Sequence, residues 1–135
     1  MQAPDENITR GSRAAEISNR AVQVLHDFTG RGPTRAHTVI NRDSVLILVG
    51  DTLTKGERTL VATGQEQFVI DMRHRFQKAM QEDLIAAVEK IMGRKVIAFM
   101  SANHVDPDMA AEVFALEPAS DDEEARSPKI SAGQK

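Results

Sequence analysis

The chain has 135 residues and contains no cysteine, tryptophan or tyrosine. Without cysteine there is no disulfide scaffold, no thiolate metal site and no sulfur nucleophile. That fits a reducing compartment. Aromatic residues make up 4% of the chain and all are phenylalanine: Phe28, Phe68, Phe76, Phe99 and Phe114. The periodic patterns want each of them in a core. None is then left to stack on an unpaired base, so single-strand nucleic-acid binding loses its usual platform. The net charge of -3 supplies no strong field to recruit nucleic acid or an anionic membrane surface. Every wholly apolar run falls far short of the ~18 residues that span a bilayer. Direct membrane insertion is therefore not expected. The opening MQAPDENITRGSR has no apolar signal-peptide core. The expected location is cytoplasmic, with any membrane association peripheral, at the inner face and through a partner.

The length fits one domain with a core of its own. Residues 1–11 are polar and read as a flexible N-terminus. Ser12 is placed to cap a helix over residues 12–28, with Ile17, Ala21, Val24, Leu25 and Phe28 on one face. Gly30 suits a left-handed helix cap, and Gly32-Pro33 keeps the chain from continuing as helix. Residues 35–41 alternate, with Ala36, Thr38 and Ile40 facing one way. Residues 44–50 (SVLILVG) are apolar on both faces and read as a covered strand. The two make a hairpin through Asn41-Arg42-Asp43.

Thr54-Lys55-Gly56-Glu57 has the form of a capping box, so a short helix follows to about residue 62. On that reading Thr54 and Glu57 are structural. A Gln at position 57 could also reach back to the cap, so Glu57→Gln is expected to cost little. Residues 66–92 read as one long helix, with Phe68, Met72, Phe76, Ala79, Met80, Leu84, Val88 and Ile91 as its apolar stripe. Gly93 ends it. Val69, Ile70 and Ile85 fall off that stripe. Residues 95–101 (KVIAFMS) read as a second buried strand, 103–109 as a loop and 111–116 (AEVFAL) as the last strand. Residues 118–135 form an acidic tail expected to be disordered. The order α-β-β-α-α-β-β predicts an α+β, two-layer fold. It has a four-stranded, mainly antiparallel sheet built from two β-hairpins, with helices on one face.

Three stretches raise the question of a site. GRGPTRAH, residues 30–37, gathers Arg31, Arg35 and His37 beside backbone N–H groups that could hold an anion. Yet the loop runs from a helix end into a strand, whereas phosphate loops lead into a helix start. Punctuation by Gly30, Gly32 and Pro33 accounts for it. Arg73, His74, Arg75 and Lys78 make a basic patch on the long helix, read chiefly as a solvated face. The alternative is an anion or partner contact shared by Arg31, Arg35, His37 and Arg73. His104, Asp106 and Asp108 alternate in one loop, but zinc sites usually draw ligands from separate elements and calcium loops need more oxygens. No metal and no cofactor is expected. Nor does any residue set meet a nucleophile–base–orienter arrangement, so an enzyme is not expected.

The order of GRGP before the first strand, Leu53-Thr54 with Glu57 after the second, Arg73 in the long helix, Gly93-Arg94 before the third strand and Val113-Phe114 with Leu116 at the close resembles one family. It is the bacterial Na⁺-translocating membrane-potential-generating system MpsC domain, and the resemblance spans about residues 12–117. It implies an accessory or regulatory protein of a membrane-potential-generating or bicarbonate-uptake system, acting beside integral membrane transporter subunits. The reading from the residues is a non-enzymatic domain that binds protein partners. A small-anion or nucleotide-binding regulatory module is the alternative. A homodimer is expected, because the long helix and SVLILVG carry more apolar surface than a two-layer domain covers.

Overall fold

The computed structural model describes residues 6–119, with side chains from residue 11 onward. Seven elements follow the expected order: α1 (Glu6–Thr29), β1 (Arg35–Ile40), β2 (Ser44–Gly50), α2 (Lys55–Ala62), α3 (Glu66–Met92), β3 (Val96–Val105) and β4 (Asp108–Leu116). The four strands form one antiparallel sheet in the order β1-β2-β4-β3. The hairpins β1–β2 and β3–β4 join through the central pair β2–β4. The fold is thus α+β, and α1 and α3 cover one face of the sheet.

Period-two alternation decides which strand residues meet the helices. Val45, Ile47 and Val49 of β2 and Ala110, Phe114 and Leu116 of β4 are buried, against Ile17, Ala21 and Val24 of α1 and Met80, Leu84 and Val88 of α3. Phe99 leans on Phe114 with ring centroids 5.1 Å apart and a tilt of 56°. Thr38, inward on β1, meets the Ser18 hydroxyl at 2.7 Å, so this polar pair sits under α1 without an unmet hydrogen bond.

The termini of the elements obey local chemistry. Gly30 takes φ 78° and its N–H donates to the His26 carbonyl at 2.8 Å; Gly93 takes φ 68° and donates to the Glu89 carbonyl. Both are left-handed caps that a side chain would strain. Gly32 serves differently: a Cβ there would lie 3.3 Å from Val22 Cγ1, so the loop passes close over α1.

Several expectations change. Helix α1 begins at Glu6, so Ser12 lies inside it and caps nothing, and residues 6–11 are helical. The N-terminal half of α3 presents a different stripe from the one expected. Val69, Arg73, Gln77 and Met80 are buried, whereas Phe68 is 57% exposed and Phe76 37%. Phe28 is also 38% exposed, so three of the five phenylalanines are not core residues. The sheet selects the row of α3 that can reach Glu112 and Thr52, and that row is partly polar. The strands of the second hairpin run on to Val105 and resume at Asp108, so the expected loop over 103–109 shrinks to a tight turn. Strand β3 is an edge strand with Ile97 and Met100 exposed, not a buried one. The acidic tail from residue 120 lies outside the described residues.

The rotated stripe of α3 is directly testable. Val69→Ala removes two methyl groups from a fully buried site and is expected to cost about 2 kcal/mol. Phe68→Ala should stay within about 0.5 kcal/mol despite the larger deletion. Urea unfolding of the two variants distinguishes the stripes; equal losses, or a larger loss for Phe68→Ala, would restore the expected one.

Candidate functional site

The link between β2 and α2, residues 51–54, gathers charge from four directions. Asp51 has φ 59°, a left-handed backbone that Asp tolerates better than most side chains. Its carboxylate accepts from the Thr34 hydroxyl at 2.8 Å and pairs with Arg31 at 2.7 Å and with Arg58. The Thr34 hydrogen bond and the Arg31 guanidinium hold the Asp51 carboxyl below its ordinary value. Asp108, at the start of β4, accepts from the Thr52 hydroxyl at 2.8 Å and the Leu53 N–H at 2.9 Å.

One step inward, Arg73 of α3 reaches the same link. Its Nη2 donates to the Thr52 carbonyl at 2.7 Å and to Glu57 Oε1 at 3.2 Å. The same Glu57 oxygen accepts from the Thr54 N–H at 2.8 Å, while Glu57 N–H donates to the Thr54 hydroxyl at 3.2 Å. The capping box is therefore present, and its carboxylate is also one half of an ion pair buried with side-chain exposures of 10% for Arg73 and 8% for Glu57. The expectation that Glu57→Gln is cheap is corrected: Gln keeps the cap but leaves the buried guanidinium without its counter-charge.

Beside Arg73 lies Glu112, inward on β4 and 3% exposed. Gln77 donates to its Oε2 through a long 3.4 Å contact, and Gln77 is itself fixed by an amide pair with Asn103. Burial pushes the Glu112 carboxyl up to about 8, with the neighbouring Ser101 and Gln77 side chains and the nearby Arg73 opposing. Glu112 is therefore mostly protonated at neutral pH. Arg73 and Glu112 line a cavity of about 250 Å³ between the sheet, the end of α1, the start of α2 and the middle of α3. Its apolar wall includes Leu25, Val49, Met72, Phe76 and Met80.

The residues singled out in the sequence are dispersed. Arg31 is held by Asp51. Arg35 is exposed on β1 and lies across Gly50, where an added Cβ would come within 2.9 Å of its guanidinium. His37 is exposed on the sheet face away from the helices, paired across from Leu48. Arg73 is buried in the helical layer, while His74, Arg75 and Lys78 are exposed. Arg31 and Arg35 are thus neighbours of the 51–54 link, but His37 and Arg73 lie on opposite sides of the sheet. His104 Nδ1 sits 2.8 Å from the Pro107 carbonyl and Asp108 serves the link, so the alternating trio turns to different partners. Among the described residues, no group of three potential metal ligands converges. Arg94, noted only within the family pattern, clamps the β1–β2 turn to the end of β4 by donating to the Arg42 and Glu117 carbonyls and to Asp43.

The sheet face away from the helices is a second candidate surface. Strand register aligns Val39, Leu46, Val113 and Met100 in one row, and Leu48, Ala111 and Ala102 in the next. Ala115 and Ala98 extend it. These side chains are half-buried or exposed, and none carries a charge.

These features define a small α+β domain with a sheet face that is apolar at its centre, a buried ion pair and, among the described residues, no helix long and apolar enough to cross a membrane. The family model of the Na⁺-translocating membrane potential-generating system (MpsC) matches residues 9–118, most of the chain. The chain belongs to that family. No curated protein and no solved structure matches it.

Two stability measurements check this site. Glu57→Gln should lose about 3 kcal/mol, because removing one partner strands a buried charge, whereas Thr54→Ala should lose about 0.5–2 kcal/mol as an ordinary cap deletion; denaturant midpoints rank them. For Glu112 the folded value lies above the ordinary 4.5, so the folded state binds the extra proton between pH 4.5 and about 8. Stability attributable to this group is full below pH 4.5 and falls as pH rises towards 8, by at most about 1.4 kcal/mol per pH unit. Glu112→Gln should flatten that slope; an unchanged pH profile between wild type and variant would contradict the assignment.

Proposed function

We propose that this protein is a non-enzymatic accessory subunit of a membrane-potential-generating system, working as a homodimer that presents its helical layer to integral membrane partners from the cytoplasmic side. The observation that carries the reading is the apolar centre of the outer sheet face, bordered on β1 by Arg35 and His37. Val39, Leu46, Val113 and Met100 form a continuous apolar row across all four strands. Met100 is 55% exposed and Val39 38%. Contiguous apolar faces on single domains mark interfaces. A second copy is the natural cover, since a two-fold axis lying parallel to the sheet plane brings the two outer faces together with apolar rows against apolar rows. Two such faces pack about 10 Å apart, as in other sheet-on-sheet contacts.

Family membership supports the link to a membrane system. The absence of catalysis is our reading of the polar residues. Arg73, Glu57, Asp51 and Asp108 are engaged in holding the β2–α2 link, with no nucleophile among them. The long helix contributes less to the dimer reading than its sequence suggests, because Val69 is fully buried within the single chain.

Sedimentation equilibrium at micromolar concentration is expected to give twice the chain mass, and Met100→Glu is expected to give a folded monomer. In a deletion strain, wild type should restore the membrane potential reported by a potential-sensitive dye, and Met100→Glu should not. A wild-type monomer would end the dimer reading; full rescue by a monomeric variant would end its functional role.

A further inference from the structure

The cavity beside Arg73 and Glu112 lies on the helical side of the sheet and is independent of the outer face. Protein interiors seldom leave voids larger than a water molecule. This one, at about 250 Å³, has room for the equivalent of roughly eight waters at ~30 Å³ each. It is just under the ~300–1,000 Å³ of sites for drug-sized ligands. Met72 is half-buried and Phe76 is 37% exposed at its outer side, so the wall nearest solvent is made of movable apolar side chains.

The inner end is polar and incompletely satisfied. Arg73 Nε and Glu112 Oε1 have no hydrogen-bond partner, although Arg73 is 8% exposed and Glu112 3%. Buried polar atoms without partners are uncommon and costly. Structural need does not explain them, since the scaffold uses Arg73 Nη2 and Glu112 Oε2 instead. A molecule in the cavity with a matching donor and acceptor would satisfy both groups. The charge balance narrows what that molecule can be. Arg73 is already matched by Glu57 at 3.2 Å. A buried anion would leave one negative charge over, and a buried cation one positive charge over while Glu112 holds its proton; each is strongly penalised in an apolar cavity. Arg73 Nε offers a donor, and a protonated Glu112 offers an O–H donor as well as an acceptor.

We infer that this cavity is a binding site for a small, uncharged, largely apolar molecule carrying a carbonyl or hydroxyl head, the head directed to Arg73 and Glu112 and the tail to Leu25, Val49, Met80 and Phe76. This goes beyond the accessory role proposed above and does not depend on dimer formation.

The test titrates the full chain with four compounds sharing one eight-carbon tail: octanamide, 1-octanol, octanoate and octylamine. Thermal unfolding and backbone amide NMR shifts are the readouts. The two neutral compounds should raise the melting temperature saturably, as any ligand of the folded state must, and shift the amides of Thr52, Gln77, Ala110 and Glu112. The two charged compounds should bind at least about tenfold more weakly, the cost of burying a charge. Met72→Trp, which plugs the outer side, should melt like wild type without ligand and lose the response. If that variant does not fold, Ala110→Val narrows the cavity from the sheet side and should weaken binding. No saturable response to either neutral compound, equal binding of octanoate and octanamide, or unchanged binding by a folded plugged variant would each overturn the inference.

Discussion

Everything in the helical layer turns on one guanidinium. Arg73 is the point at which α3, the β2–α2 link and the capping box of α2 are fastened together, through the Thr52 carbonyl and Glu57. A helix of eight residues such as α2 has too few internal hydrogen bonds to stand alone in water. It is held here because its cap carboxylate is also a counter-ion. From the other side Asp108 fixes Thr52 and Leu53, and Asp51 draws in Arg31 and Arg58. The link is a short irregular segment, yet each of its four residues from 51 to 54 makes a side-chain or main-chain hydrogen bond to another element or to the cap. This is how a polar cluster is tolerated beside an apolar core: its charges are matched at close range and its backbone groups are claimed.

The same arrangement explains which parts of the structure were legible in the sequence. Glycine caps, the capping box and the alternation of β1 and β2 are local, and local chemistry suffices to place Gly30, Gly93, Thr54 and Ala36. The face of α3 is not local. Its sequence offers two stripes, one through Phe68, Met72 and Phe76, the other through Val69, Arg73 and Gln77, and hydrophobicity alone favours the first. The second is buried because Glu57, Glu112 and Asn103 supply partners that no reading of α3 by itself can see. Glu112 left a fainter signal. Counting by twos inward from Leu116 and Phe114 arrives at Glu112, so a carboxyl group at a core position was readable once the strand phase was taken seriously. The anion site sought among Arg31, Arg35, His37 and Arg73 depended on tertiary placement, and the sheet separates His37 from Arg73.

The two faces of the sheet divide the work. The inner face carries the hydrocarbon core at one end, around Phe114 and Leu84, and the polar cavity at the other, around Glu112 and Arg73. The outer face carries no formal charge across its central rows. A mixed inner face gives up some packing in exchange for a chemically distinctive recess. An apolar outer face gives up solubility in exchange for a surface that seeks cover.

Strand β3 adds a last constraint. It lies at an open edge of the sheet, and its pairing with β4 is interrupted by a register shift between Val96 and Ala98, which turns Ile97 outward to 60% exposure. An unbroken ten-residue edge with that composition would be a template for endless strand addition, the route to fibres. The interruption spoils the regular ladder just where the chain enters the strand. At the opposite edge β1 is only six residues long and follows Pro33, which has no N–H to donate. Growth of the sheet in its own plane is obstructed at both sides, so the strand edges are poor templates for further copies.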